Sequence, residues 1–278
     1  VAVIPRIFAS TAWLIMGTFG LSIVKKLGNG NVVKGYSSFA VVIAVAFIIS
    51  AIITCLNVKE RVETPKNAEK VSFKQTLNII RKNDQLVVFI GIVLGMNLIM
   101  QISGSMAIYY FTYVVGKESL FSVYQAFAGI AEISGLVLLP ILTKKIGRED
   151  VFKFGSILPI AGFLLLFVAG IVAPQNALFI GMAGAILKLG SGFLLGSTTI
   201  MLADVVDYGE FKLGTRNESI VFSVQTLLVK GASAVAGWLV GVGLSLVGYV
   251  AGEVQSATTI LGMRVIMIWI PIVCAIVM

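Results

Sequence analysis

A chain of 278 residues that is 58% hydrophobic and only 12% charged, with a mean hydropathy of +1.01, is not a soluble globular domain but an integral membrane protein. It has no histidine, and its two cysteines, Cys55 and Cys274, lie in separate apolar segments. This excludes imidazole triads and zinc sites of the usual ligand types, and it leaves buried free thiols rather than a disulfide framework. The formal charge of +8 sits in loops between apolar runs, where it orients a membrane protein, and does not point to nucleic acid.

Apolar runs long enough to cross a bilayer, at ~1.5 Å of rise per residue, lie at about 7–24, 39–57, 86–115, 120–142, 154–173, 177–202, 219–250 and 261–278. The expected fold is therefore all-α, a polytopic bundle with eight transmembrane helices. The chain opens on VAVIPR without Met and stops inside IMIWIPIVCAIVM, so both ends read as cut and the chain as part of a longer protein. Alternate loops carry 13 Lys and Arg against 4, which puts the loops near residues 70, 148 and 210, and the start of the chain, in the cytoplasm.

In chain order, the first candidate group is Arg6, which follows Pro5 and is expected on the cytoplasmic side. In the loop after the second span, Ser72 and Gln75 make a capping box, and Phe73, Leu77 and Ile80 share one face. A short amphipathic helix is expected there at the inner membrane surface, flanked by a solvated linker around Pro65 and Asn67. Asn97 and Gln101 lie one turn apart in the third span. Glu132 and Lys188 each lie 11 or 12 residues in from an outer helix end, about 17 Å deep. Matching depth suggests an intramembrane ion pair, and a substrate role for each charge is the alternative. The glycine pairs Gly91/Gly95, Gly192/Gly196 and Gly237/Gly241 have the small-xxx-small spacing of closely packed membrane helices.

After the sixth span, Asp204, Asp207 and Glu210 fall where that helix should end. Acids there oppose the helix dipole, so cations must offset them, and Lys212, Arg216, Lys144, Lys145 and Arg148 are available. A gate of breakable ion pairs, a static network and a solvated turn are the readings open. Next, Ser219, Ser223, Thr226, Lys230, Ser233 and Gly237 are spaced by four, three, four, three and four residues, on a single helical face. Such a stripe is a packing seam or the wall of a wet cavity. Lys230 favours the cavity, because a charge at the membrane centre costs about 2.5–3.5 kcal/mol and persists where it has a partner or a task. Arg264, close to a helix end, reads as snorkelling to the surface.

The block ADVVDYGEFKLGTRNESIVFSVQTLLVKGASA, with IPRIFAS near the start, KNDQL before the third span and AIYYFTYVVG within it, resembles the glycoside–pentoside–hexuronide:cation symporters of the major facilitator superfamily, melibiose-carrier-like. The likeness runs along essentially the whole chain. It implies a major-facilitator-type helical bundle of twelve helices, of which this chain supplies helices five to twelve. Residues 1–58 would then be the last two helices of the N-terminal bundle, 59–85 the cytoplasmic middle loop with its short amphipathic helix, and 86–278 the C-terminal bundle with its last helix truncated. By the same resemblance Arg6 matches a sugar-contacting arginine, and Gln225, Thr226 and Lys230 match the polar positions of helix eleven. Asp204, Asp207, Glu210, Arg216 and Arg148 match cytoplasmic salt-bridge positions. A family aromatic that stacks on the sugar falls at Leu195 here, which departs from galactoside specificity. The family's cation site, for Na⁺ or H⁺, lies on helices two and four, outside this sequence.

The function expected is symport of a sugar or glycoside with a cation across the inner (cytoplasmic) membrane by alternating access, with a small-molecule sugar and the bilayer as partners. No catalytic residue, resident metal or other cofactor is assigned. The alternatives are a carrier or exporter of lipids or amphiphilic compounds on the same fold and, of a different class, a membrane-embedded enzyme. The enzyme is disfavoured because the intramembrane charges form no carboxylate pair, no nucleophile with a base and no metal cluster.

Overall fold

The computed structural model describes residues 4–58 and 73–278, and among the described residues it is helical without a strand. Among the described residues eight helices are long and apolar enough to cross a membrane: α1 (Ile4–Gly28), α2 (Val32–Asn57), α4 (Asp84–Val114), α5 (Ser119–Ile146), α6 (Arg148–Val172), α7 (Ala177–Leu213), α8 (Glu218–Leu246) and α9 (Ala257–Val277). A ninth, α3 (Phe73–Lys82), is short. An all-helical design is what a lipid environment selects, because each span must satisfy its own backbone hydrogen bonds. The chain is a polytopic membrane protein.

Two compact units divide the described chain, with the boundary inside α1. The smaller, Phe19–Thr76, holds the second half of α1 and all of α2. Its turn uses a left-handed Asn29 (φ 45°) and Gly30 (φ 92°), and Asn31 then caps α2 by accepting from the Lys34 N–H at 3.0 Å. The two helices touch where a Cβ on Gly35 would lie only 2.5 Å from the Val24 carbonyl.

In the larger unit, Leu77–Met278 with α1 as far as Thr18, α7 runs between α5 and α6, α4 pairs with α8, and α9 packs on α4 and α6. One apolar core gathers Tyr110, Phe111, Phe163, Leu187 and Met267. A second gathers Leu86, Phe89, Leu202, Val206 and Val221, where α4, α7 and α8 meet. Of the three glycine pairs, Gly192/Gly196 is the one closely packed at both members: an added Cβ would run into the Glu132 carbonyl from Gly192 and into the Leu139 side chain from Gly196. Gly237 and Gly241 face open space, as does Gly91, and Gly95 faces Met278.

The short amphipathic segment is helical from Phe73 to Lys82, with Ile80 packed on the second core and Leu77 exposed. Ser72 and the flanks at Pro65 and Asn67 lie outside the described residues, as does the Gln75 side chain, so the capping box is not described. A single buried residue, Asn83, separates α3 from α4. Its Oδ1 accepts from the Leu86 N–H at 3.0 Å and caps α4, while its Nδ2 donates to the Val205 carbonyl of α7 at 3.2 Å.

The sixth span ends later than expected. Its helix runs on to Leu213 and stops at Gly214, which takes a left-handed φ of 70° and donates to the Glu210 carbonyl. Asp204, Asp207 and Glu210 are thus helical. The extension holds because Leu202, Val205 and Val206 continue to bury against α4 and α8 while the acids share an outer face. At 37 residues α7 is about 55 Å long, beyond the ~30 Å of a hydrocarbon core.

At the opposite end of the unit, α4 and α9 each contain a π-helical turn, Tyr110–Val114 and Val265–Trp269. Tyr249, in the α8–α9 loop, donates to the Tyr113 hydroxyl at 3.1 Å and meets the Tyr109 ring edge-on. Burial, then the bond to Tyr113, pushes the Tyr249 hydroxyl up to about 12, so it remains a neutral donor at physiological pH. Arg264 is half-buried. Its Nη2 donates to the Gly170 carbonyl of α6 at 3.2 Å, an acceptor left without a helical partner because the residue four further on is Pro174.

Candidate functional site

The hydroxyl-rich stripe of α8 follows from its sequence period: Val221, Ala232, Ala236 and Val240 bury, mainly against α4, while Ser219, Ser223, Thr226, Lys230, Ser233 and Gly237 are all exposed. Within the described residues the stripe therefore packs against no neighbouring helix. Lys230 makes no hydrogen bond or ion pair there. Thr226 turns its Oγ1 back on the Phe222 carbonyl at 3.0 Å, and Gln225 is half-buried with its amide unpaired among the described residues. Arg6, in the first turn of α1, is half-buried, and no hydrogen bond or ion pair joins it to these α8 side chains. Leu195 is half-buried on α7.

Glu132 of α5 and Lys188 of α7 meet: Lys188 Nζ donates to Glu132 Oε2 at 3.0 Å, with side chains 14% and 8% exposed. The helices come close enough because Gly135 and Gly192 face one another; a Cβ on Gly135 would lie 2.7 Å from the Leu189 carbonyl. The second carboxylate oxygen, Oε1, accepts from Ser10 Oγ of α1 at 2.6 Å. Three helices therefore converge on one buried carboxylate, with its charge neutralised internally.

The charged side chains gather at the end of the unit where α4 and α6 begin and α7 stops. Arg148 Nη1 donates to Asp204 Oδ2 at 3.3 Å. Arg216 holds three carboxylates, Glu210 at 2.6 Å, Asp207 at 3.1 Å and Glu218 at 3.2 Å. These bonds, Glu210's foremost, raise its guanidinium further above its ordinary value, so it stays charged. Lys212 reaches Asp84, the first residue of α4, at 2.7 Å. A cation in the last turn of one helix and an acid in the first turn of another each complement a helix dipole. A cavity of about 240 Å³ adjoins the Arg148–Asp204 pair, lined also by Thr143, Phe152, Ser197 and Met201.

Ser10, Asn83, Asp84 and Glu218 were not singled out by sequence reasoning. Ser10 lies in IPRIFAS and the Asn83–Asp84 pair in KNDQL, two of the short blocks that carried the family resemblance, so a signal was present without a role attached. The roles of Ser10, Asn83 and Asp84 depend on partners 122 and 128 residues away, while Glu218 meets Arg216 two residues before it.

A family model described as MFS/sugar transport protein matches residues 2–278. Among curated relatives, the "Isoprimeverose transporter" of Lactiplantibacillus pentosus is 31% identical over 96% of this chain and 57% of its own length. The "Putative sulfoquinovose importer" of Salmonella typhimurium is 30% identical over 94% of this chain and 54% of its own. The "Lactose permease" of Lactobacillus helveticus is 31% identical over 81% of this chain and 34% of its own. The chain spans about half the length or less of these curated relatives.

Proposed function

The chain belongs to the MFS/sugar transport protein family, and from that membership we propose that the protein carries a sugar or glycoside, together with a cation, across the cytoplasmic membrane by alternating access. The observation that carries the proposal is Lys230: a cation without a partner among the described residues, at the centre of an exposed hydroxyl stripe in an apolar helix. A charge so placed is retained for a ligand, and a polyhydroxylated solute supplies the acceptors that it, Gln225, Thr226 and Arg6 would meet. Binding is by hydrogen bonds alone, with no covalent step. The co-transported cation, Na⁺ or H⁺, strengthens sugar binding by linkage and is assigned, by the family resemblance, to helices outside this sequence.

The test is counterflow of labelled lactose, isoprimeverose and sulfoquinovose by the protein in proteoliposomes. Lys230→Gln is expected to abolish measurable affinity for whichever sugar is carried while the protein still inserts; unchanged accumulation would end the reading. Within the same function, an anionic sugar is favoured by one observation. Glu132 neutralises Lys188, which weakens the case, but among the described residues Arg6 and Lys230 still have no carboxylate beside them. Sulfoquinovose outcompeting lactose in the panel would establish that preference, and the reverse order would remove it.

A further inference from the structure

We propose that Glu132 is a positioning residue of the sugar site: clamped by Lys188, it grips Ser10 and thereby sets the depth and rotation of the α1 segment that presents Arg6. The inference rests on reading Arg6 as a sugar contact.

α1 and α5 run antiparallel along a shared seam, with Ser10 beside Glu132, Leu14 against Gly129 and Gly17 against Gln125. The latter two are contacts of shape. A Cβ on Gly129 would lie 2.6 Å from the Leu14 side chain, and one on Gly17 would lie 2.7 Å from Gln125 Nε2. Such contacts bring the helices together but do not define direction. The directional contact is the bond from the Ser10 hydroxyl to the carboxylate, which at 2.6 Å is short and charge-assisted. Lys188 holds the other oxygen, so the carboxylate cannot rotate away, and Lys188 is itself fixed where α5 and α7 pack at Gly135 and Gly192. Ser10 is thus tied to a rigid two-helix frame.

Arg6 lies one turn before Ser10 on the same face of α1, about 5–6 Å away along the helix. It is half-buried and makes no hydrogen bond or ion pair of its own among the described residues. No local partner aims it. Its placement is inherited from the anchoring of α1, and an ångström of misplacement in a group that must meet a ligand is costly. Glu132 and Lys188 therefore serve the site without touching the sugar, consistent with their burial and mutual neutralisation.

The experiment is sugar counterflow by the protein, using the labelled sugar from the panel with the fastest exchange. Ser10→Ala removes the tie while leaving the ion pair whole. It is expected to raise the half-saturation concentration about tenfold, with the maximal rate and thermal unfolding unchanged, and Ser10→Thr is expected to restore affinity. Glu132→Leu combined with Lys188→Met, which removes acceptor and counter-charge together, is expected to give the same shift. In an Arg6→Gln background Ser10→Ala should add nothing. A shift of equal size in both backgrounds, or wild-type affinity in the Glu132→Leu, Lys188→Met protein, overturns this proposal alone. Wild-type affinity in Arg6→Gln itself removes the sugar-contact reading on which it stands.

Discussion

At the scale of the residue, the carboxylate of Glu132 shows how unequal single and paired changes should be. Glu132→Gln leaves a buried ammonium at Lys188 without its counter-charge, and Lys188→Met leaves a buried carboxylate without its own. Each is expected to destabilise by about 3–5 kcal/mol, whereas the double replacement Glu132→Gln with Lys188→Met is expected to recover most of that, since breaking a buried pair costs more than removing it. Thermal unfolding in detergent checks this; a double variant as unstable as the worse single would show that the charges act separately. Both residues could be singled out from the chain because each stands at the same depth in an apolar run. Ser10 could not, because a serine in a membrane helix usually bonds its own backbone or a neighbour, and only the approach of α1 to α5 shows otherwise. Arg264 likewise has an acceptor that its own helix does not reveal, the Gly170 carbonyl that Pro174 leaves free on the adjoining helix.

At the scale of the element, glycine pairs with identical spacing have different surroundings. Gly192 lies where α7 crosses α5, and Gly241 lies on an open face of α8. Gly192→Ala is expected to cost about 1–3 kcal/mol through overpacking against the Glu132 carbonyl, and Gly241→Ala to be neutral or slightly stabilising. Unfolding of the two variants side by side measures the difference, and an equal response would contradict the packing described. The helices themselves were legible because twenty apolar residues in a row admit little else. The end of α7 was not. The acids at 204, 207 and 210 argue locally for a stop, and they are overruled by the burial of Leu202, Val205 and Val206, by Arg216 in the turn that follows and by Arg148 from α6.

At the scale of the whole molecule, the charged end is built of exposed pairs, with Arg148 and Asp204 69% and 59% exposed, while the Glu132 node is buried. Exposed pairs add little static stability and are screened by salt, the Debye length falling from about 10 Å at 0.1 M to about 3 Å at 1 M. If these pairs close one end of a cavity in one state, raising salt should speed thiol labelling of Ser197→Cys, in a background lacking Cys55 and Cys274, without lowering the unfolding temperature. Labelling indifferent to salt would mark the network as static. Composition and apolar run length by themselves determined that this chain is a helical membrane protein with eight membrane-capable helices among its described residues, and periodicity determined that Lys230 shares its face with hydroxyls. These are local properties, read within one helix. Only the tertiary structure decided that the stripe packs against nothing within the described residues, that Ser10 serves Glu132, that Asn83 ties α4 to α7 and that Arg148 takes Asp204. Those contacts join residues whose separation along the chain carries no trace of their separation in space.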